Sequence, residues 1–171
     1  MLHKTKHKGF TLIELLVVIA IIGLLSTLAV VALNNAREKG RDAKRVADIK
    51  SIQTALELYF ADQNTYPISA AAGVTMGEGK TVECLDSTGM AASCGAGQVY
   101  MGKLPKNPLP AGAEANYTYI AKSTTANTGA CAEGPCKGYV ITFALESPTG
   151  DFPVGTLYAI PSGVSTTNPD P

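Results

Sequence analysis

The chain has 171 residues, about one domain's worth of sequence, and a formal net charge of zero. The neutral total conceals an uneven distribution. Residues 37–50 carry six basic and three acidic side chains, whereas from residue 51 onward five lysines face ten acids. A basic segment followed by a mildly acidic domain does not indicate a nucleic-acid-binding protein, and no specific nucleic acid is expected as a partner.

The first nine residues, MLHKTKHKG, are polar and basic, and they contain both histidines of the chain. If this segment is removed, the remaining protein has no histidine. Ser-His or Cys-His nucleophilic catalysis is then excluded, and so is any histidine-ligated metal site.

An apolar run of 24 residues follows, from Phe10 to Leu33, with Glu14 as its one ionisable side chain. As a helix it is roughly 36 Å long, which is enough to cross a bilayer core of about 30 Å. It is too long for the apolar region of a secretory signal peptide. Residues 10–33 are therefore predicted to form a transmembrane helix, although an ordinary anchor does not explain Glu14.

The same helix is predicted to continue as an amphipathic segment over residues 34–66. Its apolar side chains recur every three or four residues and define one face. The charged residues of segment 37–50 are expected on the opposite face, in solvent. Asn64 to Pro67 end the helix, because proline cannot continue it. The predicted stripe consists of Ala43, Val46, Ile49, Ile52, Leu56 and Phe60, with Tyr59 beside it.

Residues 67–171 are predicted to form a loop followed by an antiparallel sheet. Residues 68–97 show little periodicity and are expected to be a long connection with room for a short strand or helical turn. The polar tail 162–171 is expected to be loose. Alternating apolar side chains between them indicate short strands. The expected fold class is α+β, with the long helix packed on a small sheet of three or four strands. The predicted strands are Gln98–Met101, Tyr117–Ala121, Tyr139–Leu145 and Thr156–Ile160.

The chain has four cysteines, Cys84, Cys94, Cys131 and Cys136. An even number beyond a membrane segment favours disulfides in an oxidising compartment over free thiols. Zinc is disfavoured, because nine residues separate the first two cysteines. Four cysteines allow three pairings, and proximity favours 84–94 and 131–136.

The sequence KGFTLIE at positions 8–14 resembles the processing motif of the type IV pilin and type II secretion pseudopilin superfamily. Basic residues, a glycine, Phe-Thr-Leu, a glutamate five residues after the glycine and an apolar run all occur without a gap. The resemblance implies that residues 1–9 are a leader, which a prepilin peptidase removes by cutting between Gly9 and Phe10 before methylating the new amine of Phe10. It also implies the type IV pilin fold for the mature subunit.

The resemblance further implies a life history for the subunit. A single-pass prepilin waits in the cytoplasmic membrane. An assembly ATPase and a platform protein then help to extract it into a helical homo-oligomeric filament, which is extracellular or periplasmic.

Glu14 has a physical reason to take part in that assembly. A charge in an apolar core is costly and needs a partner. On a helix its carboxylate is about 6 Å along the axis from the amine that cleavage creates at Phe10, and the two groups, on one subunit or on neighbours, would set the register of the subunits.

A second, weaker similarity concerns metal binding. Residues 36–67 resemble the major pseudopilins, and Leu104 to Pro108 resemble a later segment that reads Asp-Pro-Trp-Gly in those proteins, near a bound calcium ion. Here Asn107 and Leu109 replace the Asp and the Trp, and the acidic cluster is absent. Asp151 is interpreted as a turn residue, with a calcium ligand as the less favoured alternative. No metal or cofactor is expected.

The sequence thus favours a structural subunit of a type IV pilus-like filament. The alternative is a major pseudopilin of a type II secretion system, and a remote alternative is a membrane-anchored enzyme or binding domain. No nucleophile–base pair, phosphate loop or G-x-S-x-G motif is present, so no enzymatic activity is expected.

Overall fold

The computed structural model describes residues 9–109 and 116–169. By its internal contacts the chain divides into two compact units, Met1–Arg37 and Glu38–Pro171. We call the second one the head unit. One helix, α1, extends from Leu12 to Gln63 and supplies residues to both units. The leader prediction for residues 1–8 lies outside the described residues.

Eight strands follow α1. They are β1 (Val74–Met76), β2 (Cys84–Asp86), β3 (Gly89–Ala91), β4 (Val99–Met101), β5 (Tyr117–Lys122), β6 (Gly138–Leu145), β7 (Gly155–Ile160) and β8 (Gly163–Ser165). A five-stranded sheet has the order β1-β5-β6-β7-β8, and a three-stranded sheet has the order β3-β2-β4. All the pairings within the two sheets are antiparallel.

The α+β class and the continuous helix are confirmed, and all four predicted strands are present as β4 to β7. Residues 68–97, for which a long connection with a short strand or helical turn was predicted, contain three short strands, β1, β2 and β3. The prediction of a loose tail was wrong, because the tail contains β8. These strands have only three residues each, too few for alternation to be recognised in the sequence. In addition, β4 belongs to the three-stranded sheet and not to the main one.

The core of the head unit lies between α1 and the main sheet. Ile49, Ile52 and Leu56 on α1 are buried together with tyrosines of β5 and β6, and these residues form one apolar cluster. Burial of each such side chain contributes about 1.5–3 kcal/mol before conformational entropy is counted. The predicted stripe is therefore correct from Val46 onward, but Ala43 is exposed.

The end of α1 is fixed by local chemistry. Asn64 has a φ of 54°, and its N–H donates to the Phe60 carbonyl at 2.8 Å. Asparagine tolerates this left-handed conformation better than most residues. Lys137 adds a favourable cation at the helix C-terminus, since its Nζ donates to the Asn64 carbonyl at 3.0 Å.

Candidate processing and assembly site

The peptide between Gly9 and Phe10 precedes α1 and has no helical structure. Gly9 is exposed, a Cβ at that position would meet nothing within 4 Å, and Phe10 is 85% exposed. A protease can bind a backbone that is exposed and not part of a helix. The proposed cleavage position is thus sterically open.

Glu14 and Thr11 form a capping box at the start of α1. The backbone N–H of Thr11 donates to Glu14 Oε2 at 2.8 Å, and the Thr11 hydroxyl donates to the same oxygen at 2.6 Å. In return, the Glu14 N–H donates to Thr11 Oγ1 at 3.3 Å. Threonine at the N-cap and glutamate three residues later satisfy two N–H groups that the helix itself leaves unpaired.

This capping role was missed when the sequence was interpreted, although the pattern T-x-x-E at positions 11–14 could have revealed it. It changes the description of Glu14. In the chain that still carries its first nine residues, the carboxylate has a local partner in Thr11. A new amine at Phe10 would therefore have to compete with, or join, an existing set of hydrogen bonds.

The side chains around Glu14 are apolar and uncovered. Phe10, Ile13, Val17 and Val18 line a shallow depression together with the glutamate. The large apolar residues of the following turns, as far as Leu33, are all exposed in the described chain. By length and composition α1 can cross a membrane. An exposed apolar surface of this extent indicates a membrane or protein interaction surface.

The cysteines form two disulfides, Cys84–Cys94 and Cys131–Cys136. The first ties β2 to the loop before β4. The second lies against the end of α1, where the Tyr66 N–H donates to the Cys136 carbonyl at 2.9 Å. Both bridges therefore hold loops of the head unit, and neither lies in the processing segment.

Within the described ranges, the one group of side chains spaced like metal ligands is Cys84, Asp86 and Cys94. The two sulfurs are joined to each other, so they cannot coordinate an ion as thiolates. The Asp86 carboxylate accepts from Thr88 and from the Gly95 N–H, which holds its pKa below the ordinary value. These three residues therefore belong to a loop that a disulfide and hydrogen bonds hold in place.

A buried ionic network joins α1 to the end of β6. Asp42 and Arg45 are both fully buried, and Arg45 Nη1 donates to Asp42 Oδ1 at 2.6 Å. The other Asp42 oxygen accepts from the Ser147 N–H at 2.8 Å and from its hydroxyl at 3.0 Å. The prediction that the charges of residues 37–50 all face solvent was wrong here, because these two carry partners that compensate for desolvation.

Glu146 completes this network. Its Oε1 lies 2.6 Å from Arg45 Nη1, and its carboxylate also receives two hydrogen bonds from Arg41. The hydrogen bond from Arg41, followed by the hydrogen bond and charge of Arg45, lowers the pKa of Glu146 to about 2, although burial acts in the opposite direction. The carboxylate therefore stays ionised well into the acid range.

Arg45 also holds the loop before β5. Its Nε donates to Asn107 Oδ1 at 2.9 Å, and its Nη2 donates to the Pro108 carbonyl at 3.1 Å. Asn107 and Pro108 belong to the segment whose resemblance raised the question of calcium binding. Because a guanidinium already lies among their oxygens, the residues present do not fit a calcium ion at this corner.

Comparison with known proteins gives a family and several relatives. Residues 4–30 match the family described as "Prokaryotic N-terminal methylation motif". The chain is 42% identical over 66 residues to the "Type II secretion system core protein G" of Aeromonas hydrophila, which covers 39% of this chain and 46% of that protein. The protein of the same name from Escherichia coli (strain K12) is 45% identical over 62 residues, which covers 36% of this chain and 43% of the relative.

A pilus protein is similarly related. The "Type IV wide pilus major component PilA4" of Thermus thermophilus is 40% identical over 70 residues, or 41% of this chain and 53% of the relative. The chain thus spans about half the length of the curated relatives it matches. No solved structure matches it significantly.

Proposed function

We propose that this chain is the precursor of a filament subunit. It has the N-terminal methylation motif, and its relatives include pilin and pseudopilin proteins. The observation that carries the proposal is the arrangement at positions 9–14. An open Gly9–Phe10 peptide precedes a helix whose capping box contains Thr11 and Glu14 and whose following turns are apolar on every side. These relatives are named as a secretion-system core protein and a pilus component, and the role we propose is likewise structural.

Processing is the first step of the proposal. A prepilin peptidase cuts between Gly9 and Phe10 and methylates the amine that results. Gly9 offers no side chain to obstruct a narrow active site, and both residues are uncovered. The cut also removes the leader and both histidines from the subunit.

Assembly is the second step. In the membrane the apolar residues of α1 contact lipid, and in a filament they contact the helices of other subunits. The Glu14 carboxylate then pairs with a Phe10 amine, because an ionised group in apolar surroundings needs a compensating charge. Thr11 keeps the carboxylate at the helix end until that partner arrives. An assembly ATPase and a platform protein would drive the extraction.

The test replaces Glu14 with Val in the native host. We expect normal amounts of membrane-inserted subunit and no filaments, because the helix becomes more apolar while the registering charge is lost. Glu38→Ala is the matched control, since it removes a carboxylate from the same helix beyond the apolar run. Electron microscopy of material sheared from cells reads the result, and filaments of normal number from Glu14→Val would refute the assembly role.

The pseudopilin alternative is favoured by the relatives named as secretion-system core proteins. It predicts the same processing but a short periplasmic filament. Deletion of the gene distinguishes the two functions. Loss of long surface filaments with secretion intact supports a pilin, whereas retained surface filaments with blocked export of secreted proteins support a pseudopilin.

A further inference from the structure

Four oxygen atoms of residues that the structure describes converge on the buried guanidinium of Arg45. They are Asp42 Oδ1 at 2.6 Å, Glu146 Oε1 at 2.6 Å, Asn107 Oδ1 at 2.9 Å and the Pro108 carbonyl at 3.1 Å. Carboxylates, a side-chain amide and a backbone carbonyl are the groups with which proteins coordinate calcium. The corner therefore has the oxygen donors of a calcium site, with a guanidinium at its centre.

The oxygens come from three separate parts of the head unit. Asp42 lies on α1, Glu146 directly follows β6, and Asn107 and Pro108 belong to the loop before β5. A single cation that binds all of them ties these parts together. An arginine can do so because its planar group carries five N–H donors in a fixed geometry.

We propose that Arg45 is a built-in cation that replaces a bound metal ion at this corner, so that the head unit folds and remains stable without calcium. The proposal is independent of what the filament does. It rests on complete burial of both Asp42 and Arg45 and on the directions of the hydrogen bonds. Two carboxylates so close together would repel each other if the guanidinium were absent.

The first arm of the test uses the full chain in detergent, with thermal unfolding followed by tyrosine fluorescence. We expect the Tm to be the same in calcium chloride and in excess EGTA. A Tm that rises with calcium or falls with EGTA would overturn the proposal. This arm needs no variant, so it remains decisive whatever happens to the mutants.

The second arm removes the cation. Arg45→Ala is expected to lower the Tm by about 10–20 °C, since breaking a buried ion pair leaves charges uncompensated. The matched control is Lys44→Ala, which deletes the neighbouring exposed cation and its pair with Asp48, and should shift the Tm by only a few degrees. Equal shifts for the two variants would contradict the proposal.

The third arm asks whether the vacated oxygens accept a metal. Calcium should raise the Tm of Arg45→Ala but should not raise that of Arg45→Ala combined with Asp42→Asn, which loses one carboxylate charge. Absence of any calcium effect on the single variant would contradict a cation site.

If Arg45→Ala does not accumulate in folded form, Arg45→Lys replaces it in the comparison with Lys44→Ala. Lysine keeps the charge but cannot bind all four oxygens, so the Tm of Arg45→Lys should be lower than that of the wild type.

Discussion

Between Leu12 and Leu33, α1 exposes apolar side chains in every direction, whereas between Glu38 and Gln63 the same helix buries one face against a sheet. The charged side chains of the two segments follow the same difference in burial. The first segment has one carboxylate, which is exposed and bound to Thr11. The second has a fully buried aspartate and arginine. The comparison indicates that the head unit pairs its buried Asp42 and Arg45 internally, while the first segment needs lipid or other subunits to cover its apolar side chains.

The largest stability difference between the two segments should come from leucine truncations. Leu56→Ala is expected to lower the free energy of unfolding of the head unit by about 2–5 kcal/mol, because this side chain is fully buried. Leu25→Ala is the matched control, since the side chain is exposed in the apolar run. Denaturant unfolding in detergent, followed by tyrosine fluorescence, gives both values. An equal loss of unfolding free energy in the two variants would contradict the claim that only the second segment of α1 is packed in the core.

Acid should weaken the head unit through Glu146. Its pKa is lowered from 4.5 to about 2 in the folded protein. A lowered folded-state pKa contributes stability above the unfolded value, and this contribution is lost as the pH falls from about 4.5 towards 2. The contribution of Glu146 to the free energy of unfolding is at most about 3–4 kcal/mol, and its partial exposure to solvent reduces this value.

Glu146→Gln should remove this part of the acid dependence of the unfolding free energy. The control is Glu78→Gln, which breaks an ion pair between two largely exposed side chains, Glu78 and Lys103. That variant should retain most of the wild-type slope. If Glu146→Gln and wild type lose stability in parallel below pH 4.5, the buried network does not have the importance assigned to it.

The smallest expected effect concerns the helix cap. Thr11→Val removes the hydroxyl that binds Glu14 and should destabilise the first turn of α1 by about 1 kcal/mol. Thr11→Ser keeps a hydroxyl and serves as the control. Hydrogen exchange of the amides in residues 12–15 in detergent should be about fivefold faster in the Val variant. Unchanged exchange would mean that the capping box does not hold this turn.

The sequence was most informative where a regular pattern extends over many residues. Periodicity predicted α1 and the longer strands, and proximity along the chain favoured the cysteine pairs that the structure contains. The head-unit network was not predictable, because Asp42 and Arg45 are adjacent on a charged helical surface while their partners lie more than 60 residues away. Charge alone does not reveal which members of a polar face are covered by a distant loop.

The capping box and the short strands were missed for different reasons. The pattern of Thr11 and Glu14 is visible in the sequence, but a glutamate within an apolar run also fits a role in assembly, and the sequence does not separate the two roles. By contrast, three-residue strands such as β1 and β8 carry no periodic signal and form because neighbouring strands offer them hydrogen bonds.

We propose that cleavage at Gly9–Phe10 converts an exposed, capped helix into an assembling subunit, and the intact mass of the protein from its native host is the most direct test. We expect the mass of the chain that begins at Phe10, increased by one methyl group that fragmentation locates on the Phe10 amine, and reduced for two disulfides. A mass that still includes residues 1–9 in the mature, surface-located protein would contradict it.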